Sequence, residues 1–290
     1  MEVFVLTNEI VSAFWPLLPE DTREADIEGG IVLLGAAEQA ENGEPQACGT
    51  AVLQMVDEDT WFLTWLLVAP DFRQRGAGGA LLALAQEIAD FTQMQIYTVF
   101  SEHPESVTDS SLYRLFERQG FVVQTRESKS YTIPLSRIGE EDFFKSRQGR
   151  GDGFASLNET PAWMLVNLNR SLEEQGQLLT DSIFQEAALA DISVTYASNG
   201  EITACVIFEP IGENGVSLSF LYAHKRASAQ MPALLRRAWQ LLSRRFPPET
   251  ELVIPCVTEP SRKLVEKLLP SATLSLVTYS ARYYRGRTEN

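Results

Sequence analysis

An internal repeat limits this chain more than any other feature. Ala51-Val52-Leu53 recurs as Cys205-Val206-Ile207, the apolar run closing at Val68 recurs as one closing at Tyr222, and Leu81 recurs as Leu235. The copies lie about 154 residues apart, far longer than a solenoid period and comparable to one ordinary domain. The 290 residues therefore hold two similar domains and little else. Between them lies Arg147-Gln148-Gly149-Arg150-Gly151-Asp152-Gly153, a polar, glycine-rich stretch that reads as a linker. The expected division is 1–137 for the first domain, 138–153 for the linker and 154–290 for the second.

Strand and helix signals alternate within the first copy. Met1–Leu6 and Ile31–Ala37 are short apolar runs; the helix expected between them opens at Asn8 and stops near Pro16 or Pro19. Ala47–Val56 reads as a strand, joined to Ile31–Ala37 as a hairpin through Glu41-Asn42-Gly43-Glu44-Pro45. Trp61–Val68 is apolar apart from Thr64, the pattern of a central strand covered on both faces. Leu81, Leu84, Ala85, Ile88 and Ala89 follow helical spacing. Gln95–Phe100 is a further strand, Leu112, Leu115 and Phe116 mark a helix ending at Gly120, and Phe121–Gln124 and Tyr131–Leu135 read as two closing strands. The second copy repeats the series with a helix through Met231, Leu234, Leu235, Ala238, Leu241 and Leu242, then Leu252–Cys256, Leu264–Leu269 and Thr273–Tyr279. The fold class is α/β on a mixed sheet.

Charge separates the copies. The net −15 sits wholly in Met1–Lys145, with 9 basic and 24 acidic residues, and residues 1–60 carry 13 acids against Arg23 alone. Phosphate backbones need a basic surface, so nucleic acid is excluded as the main partner, while a cationic small partner stays open. No window nears the ~18 apolar residues of a membrane span, and the N-terminus lacks the basic stretch of a signal peptide. Cys48, Cys205 and Cys256 form no C-x-x-C pair, so neither a disulfide framework nor a zinc site is expected. The expectation is a cytoplasmic protein without a metal; monomer and homodimer both stay open.

The segment that carries chemistry is Val68-Ala69-Pro70-Asp71-Phe72-Arg73-Gln74-Arg75-Gly76-Ala77-Gly78-Gly79-Ala80-Leu81. An apolar strand ends at Val68, and glycines stand where the next helix begins. Glycines there let backbone N–H groups approach a ligand closely, and a helix N-terminus favours an anion. Arg73 and Arg75 add positive charge to an acidic half. A phosphate or pyrophosphate is the physical inference. A P-loop needs Lys-Ser or Lys-Thr after the glycines, which is missing, and a dinucleotide fingerprint needs a third glycine where Leu81 stands.

With these residues in view, the chain resembles the GNAT family of acyl-CoA-dependent N-acyltransferases. Val68, Pro70, Arg73, Gly76 and Gly78 match its signature V-x-P-x-x-[RQ]-x-x-G-x-[GA] in register. Leu115-Phe116-Glu117-Arg118-Gln119-Gly120-Phe121 matches its later L-Y-x-x-x-G-F. The resemblance covers the first half in element order, and the repeat makes the second half a GNAT-like copy. It implies that acetyl-CoA is the cosubstrate, with its pyrophosphate on the amides of Gln74, Arg75, Gly76, Ala77, Gly78 and Gly79. The splayed strand end at Leu66, Leu67 and Val68 would take the pantetheine arm and the acyl carbonyl. A small-molecule or peptide amine would be the acceptor. Its cleft, as the family implies, is walled by the segment between the first two strands and by the final strands. Glu20, Asp21, Glu24, Asp26 and Glu28 outweigh Arg23 in that first segment, which favours a cationic amine. The rivals are a non-catalytic CoA-binding scaffold and a transferase for a longer acyl group.

Two departures bear on mechanism. The tyrosine many members use as general acid falls at Phe116, which the resemblance leaves among the cofactor-binding residues; Tyr113, three residues earlier on the same helical face, is the candidate general acid instead. Members often place an acid near positions 64–65, where this chain has Thr64 and Trp65; the nearest alternatives are Asp57, Glu58 and Asp59, or Glu102 with His103. The second copy has Ala223-His224-Lys225-Arg226-Ala227-Ser228-Ala229-Gln230 in place of the glycine loop, and no glycine between Gly215 and Gly286. It reads as a degenerate copy without the site.

Overall fold

The computed structural model describes residues 1–20, 22, 30–39, 45–106, 111–145, 153–174, 188–212 and 215–284. The first copy runs β1 (Glu2–Val5), a 3-10 helix (Val11–Leu17), β2 (Ile31–Gln39), β3 (Pro45–Asp57), β4 (Thr60–Val68), α1 (Ala77–Thr92), β5 (Gln95–Glu102), α2 (Leu112–Arg118) and β6 (Val122–Pro134). After α3 (Leu135–Ile138) and α4 (Asp142–Lys145), the second runs β7 (Phe154–Ser156), α5 (Ala162–Glu173), β8 (Val194–Ser198) and β9 (Glu201–Ile211). It closes with β10 (Gly215–Ala223), α6 (Met231–Arg245), β11 (Glu251–Cys256), α7 (Glu259–Leu268) and β12 (Thr273–Tyr283).

Contacts gather the chain into two units: Met1–Arg126 with Val277–Asn290, and Glu127–Leu276. The cuts fall inside β6 and β12. Of the stretch read as a linker, Ile138–Lys145 ends α3 and contributes α4 within the second unit, and 146–152 lie outside the described residues. The acids Asp21, Glu24, Asp26 and Glu28, and the turn at 41–44, also lie outside them.

The first unit orders its strands β1-β2-β3-β4-β5-β12, antiparallel except for the parallel pair β4–β5. Its sixth strand is β12, whose Val277–Tyr283 pair with Glu102–Ile96. On one face, Leu81, Leu82, Ala85 and Ala89 of α1 pack on Leu34, Leu53, Leu63 and Ile96. On the other, Phe14 and Leu18 cover Leu6, Leu33 and Val52. Each fully buried leucine contributes about 1.5–3 kcal/mol. The second unit is ordered β6-β11-β10-β9-β8-β7, again with one parallel pair, β10–β11.

The copies share a detail finer than their strand order. In β4 the extra residue of a bulge is Thr64, whose hydroxyl donates to Val52 O at 3.3 Å. In β10 it is Ser219, donating to Ile207 O at 3.3 Å.

Three elements differ from the sequence reading. The helix expected from Asn8 is a 3-10 helix from Val11 with Pro16 inside it, a position where proline removes the i→i−4 donor an α-helix would use. The two closing strands are one strand, β6; Thr125–Glu127 between them are exposed, so their polarity marks exposure to solvent and not a turn. β4 is covered on both faces only at its start: Trp61 and Leu63 are buried, Thr64 is exposed, and Leu66–Val68 are half-buried.

Candidate functional site

The site begins where β4 and β5 part. Their ladder covers Thr60↔Gln95, Trp61↔Ile96 and Phe62↔Tyr97, and the Thr98 hydroxyl then donates to Leu63 O at 2.9 Å. Beyond it β4 continues along β3 alone. Ala69 N–H donates to Cys48 O of β3 at 2.9 Å, so by strand alternation the peptide groups of Leu66 and Val68 face the opened side. Arg73 Nε donates to Val68 O at 3.2 Å, tying the following loop to the strand end.

That loop turns through Gln74 (φ 63°) and Gly76 (φ 93°) into α1. Gly76 is the N-cap in the left-handed region with no side-chain cap, and the first turn holds no acid. The first intrahelical bond closes from Ala80 N–H to Gly76 O at 3.0 Å. The N–H groups of Ala77, Gly78 and Gly79 therefore point out of the helix end with its positive dipole.

Strand end, loop and helix end line one cavity of about 990 Å³. Leu66, Leu67, Val68, Arg73, Gln74, Gly76, Ala77, Gly78 and Gly79 border it. Arg75 and Phe116 are not in the lining. The Arg75 guanidinium lies 3.5 Å from Glu38 Oε2 and over the Phe72 ring. Phe116 is buried with its ring 5.0 Å from Phe100 and 5.1 Å from Phe121.

The opposite wall is α2, through Ser111, Leu112, Leu115 and Arg118, and it explains two of the glycines. A Cβ at Gly78 would stand 3.1 Å from Leu115 Cδ2, and one at Gly79 3.0 Å from Gln119 Nε2, whereas a Cβ at Gly76 would meet nothing within 4 Å. Gly76 thus answers to backbone conformation, while Gly78 and Gly79 let α2 come close. Sequence reasoning credited all three to ligand approach. It also passed over Phe72, Leu112 and Arg118 as lining residues, although Leu112, Leu115 and Arg118 share one helical spacing.

Among the acids named from sequence, Glu102 reaches the cavity. Its carboxylate accepts from Leu112 N–H at 2.7 Å and Tyr113 N–H at 3.1 Å, and Ser111 Oγ accepts from Arg114 N–H at 3.2 Å, together capping α2. Asp57, Glu58 and Asp59 precede β4, at the end of the strand away from Val68; nine residues of strand span about 30 Å. His103 Nδ1 accepts from Glu105 N–H at 3.2 Å outside the lining. Tyr113 does not line the cavity either. Its ring meets Tyr279 edge-on at 5.1 Å, and burial with a hydrogen bond to Glu117 pushes its hydroxyl pKa up.

The arrangement suits a long, flexible anionic ligand: uncapped amides and Arg73 for phosphates, a strand edge for amide groups, and leucines to exclude water. Among the described residues no group of His, Cys, Asp and Glu could hold a metal ion, and no helix is long and apolar enough to cross a membrane. In the second unit, β10 leads through a 3-10 helix (Lys225–Gln230) to α6, whose first turn holds Pro232 and no glycine.

Residues 32–123 match the model of the acetyltransferase (GNAT) domain. No curated protein matches the chain. Among solved structures it is similar to a tandem GNAT protein from the clavulanic acid biosynthesis pathway, at 14% identity over 99% of both chains and a TM-score of 0.64. It is also similar to a GCN5-related N-acetyltransferase from Sphaerobacter thermophilus, at 17% identity over 91% of this chain and 83% of that one, TM-score 0.57. At these identities the likeness concerns the fold.

Proposed function

Because residues 32–123 match the acetyltransferase (GNAT) domain model and the fold is similar to that of a tandem GNAT protein, we propose that the first unit transfers the acetyl group of acetyl-CoA to a primary amine. The observation that carries this reading is the meeting, in one cavity, of the uncapped α1 N-terminus with the opened edge of β4. Acetyl-CoA bound there supplies an acyl group activated as a thioester. The amides of Ala77, Gly78 and Gly79, with Arg73, hold the pyrophosphate. The peptide groups of Leu66 and Val68 hold the pantetheine arm. Leu112 and Leu115 keep water from it. With Thr64 and Trp65 at the positions where an acid is common, the amine proton leaves through water. The protein works in the cytoplasm, a setting supported by three buried, unpaired cysteines.

The thiolate needs a proton, and Phe116 has none to give. Tyr113 is the candidate from sequence, but its hydroxyl is engaged by Glu117 outside the cavity lining. Tyr113→Phe is therefore expected to leave kcat within about 3-fold of wild type, with water as the donor. A drop of ~10²-fold, the ordinary size of a lost general acid, would return the role to Tyr113.

The acceptor we propose is a cationic amine, of small-molecule or peptide origin, supported by the 13 acids in residues 1–60. Attraction of this kind weakens as salt screens it. The test follows free thiol released from acetyl-CoA over matched cationic and anionic amines at low and high ionic strength. The expected result is a higher kcat/KM for the cationic amines that falls with salt; a preference for anionic amines, or none that salt changes, overturns the acceptor class. A second reading, a CoA-binding scaffold without turnover, is favoured by the buried Phe116. It predicts stabilisation by CoA with no amine-dependent thiol release from acetyl-CoA or from longer acyl-CoAs.

A further inference from the structure

α2, the wall opposite the motif, has only seven residues, too few to hold a helix by itself in water. Its placement depends on what grips it. Glu102 and Ser111 cap its N-terminus, Leu115 seats against Gly78, and Phe116 stacks on Phe100. A further grip comes from β12. Tyr279 stands opposite Phe100 in the β5–β12 register. Its ring stacks on Phe100 at 5.5 Å and 28°, and meets Tyr113 edge-on at 5.1 Å and 69°. It is only 8% exposed, and Val277, two residues before it, is the register partner of Glu102.

We propose that Tyr279 is a positioning residue for the acyl-CoA cavity: through Phe100 and Tyr113 it sets the distance of α2 from α1, so that the ligand wall of the first unit is fixed by β12. Edge-to-face and offset ring contacts are directional. An aliphatic side chain of similar bulk would fill the volume without fixing the angle of the helix. The phenol oxygen is not required for this role, whereas the ring is. The inference rests on the acyl-CoA reading of the same cavity, and its test keeps the two apart.

The test measures the Kd for CoA by calorimetry, well below the unfolding temperature, for the full-length wild type, Tyr279→Phe, Tyr279→Leu and Tyr279→Ala. Binding by the wild type tests the acyl-CoA reading; the ratio of each variant to wild type tests this inference. Tyr279→Phe is expected to match wild type in Kd and kcat. Tyr279→Leu and Tyr279→Ala are expected to weaken CoA about 10-fold while kcat at saturating acetyl-CoA stays within about 2-fold. A lowered melting temperature with unchanged Kd would mean an ordinary core residue and would overturn the proposal. So would a loss of kcat in Tyr279→Phe, which would mean that the hydroxyl does chemistry. Should Tyr279→Ala not fold, the cycle of Tyr113→Leu with Tyr279→Leu decides the matter. Non-additive effects on Kd are expected because both act through one contact, and additive ones would overturn the proposal.

Discussion

Gly76→Asp should lose the thermal stabilisation that CoA gives the wild type while keeping the fold. A ligand at 100 times its Kd stabilises by about 2.7 kcal/mol, which for a unit of this size is a rise of roughly 5–10 °C. The substitution leaves packing alone, because a Cβ at Gly76 would meet nothing within 4 Å. It does impose a non-glycine residue on φ 93°, at a cost of about 1–3 kcal/mol. Part of that is offset by an acid at an uncapped helix N-terminus. What the new carboxylate opposes is a second anion at the same amides. Gly76→Asn carries the same backbone strain without the charge, and should retain a measurable part of the shift. Gly78→Asp should also lose the shift, but with a lower melting temperature of its own, since its Cβ would stand 3.1 Å from Leu115 Cδ2. Equal stabilisation of Gly76→Asp and wild type by CoA would show that the pyrophosphate lies elsewhere.

The site was legible in the sequence to the degree that it is local. Val68 to Gly79 is one contiguous segment whose turn, helix start and charge are written in neighbouring residues, and nine of the eleven residues read as cofactor-binding do border the cavity. Arg75 and Phe116 stand outside the cavity lining for a physical reason. Motif register fixes where a residue stands along the chain, while side-chain direction is settled by partners, here Glu38 for Arg75 and Phe100 for Phe116. Tyr113 shows the same limit, because helical spacing gave its face but not the Glu117 and Tyr279 that engage it. The exchange of final strands left no local mark at all. The segments of Tyr131 and Tyr279 each read as the closing strand of their own half. In the structure, Tyr131 lies in the part of β6 that pairs with β11, and Tyr279 in the part of β12 that pairs with β5. Pairing at such sequence separation is set by the global fold, and alternation of apolar residues says nothing about which strand is the neighbour.

The claim at the centre of this account is that a chain built from two copies of one fold has one acyl-CoA site, in the first unit. The copies share strand order, the short parallel ladder and the bulge hydroxyl, so architecture alone would allow two. What separates them is a few residues. α1 starts on Gly76 with two more glycines in its first turn, whereas α6 starts after Gln230 with Pro232 at its beginning. The first helix start is entered through a left-handed glycine N-cap, whereas Gln230 at the second is right-handed (φ −90°), and proline there removes one of the amide donors. Calorimetric titration of the full chain with CoA reads the number of sites directly. One CoA per chain, abolished in Gly76→Asp, is the expected result; two per chain, or a single site that survives Gly76→Asp, would contradict the account.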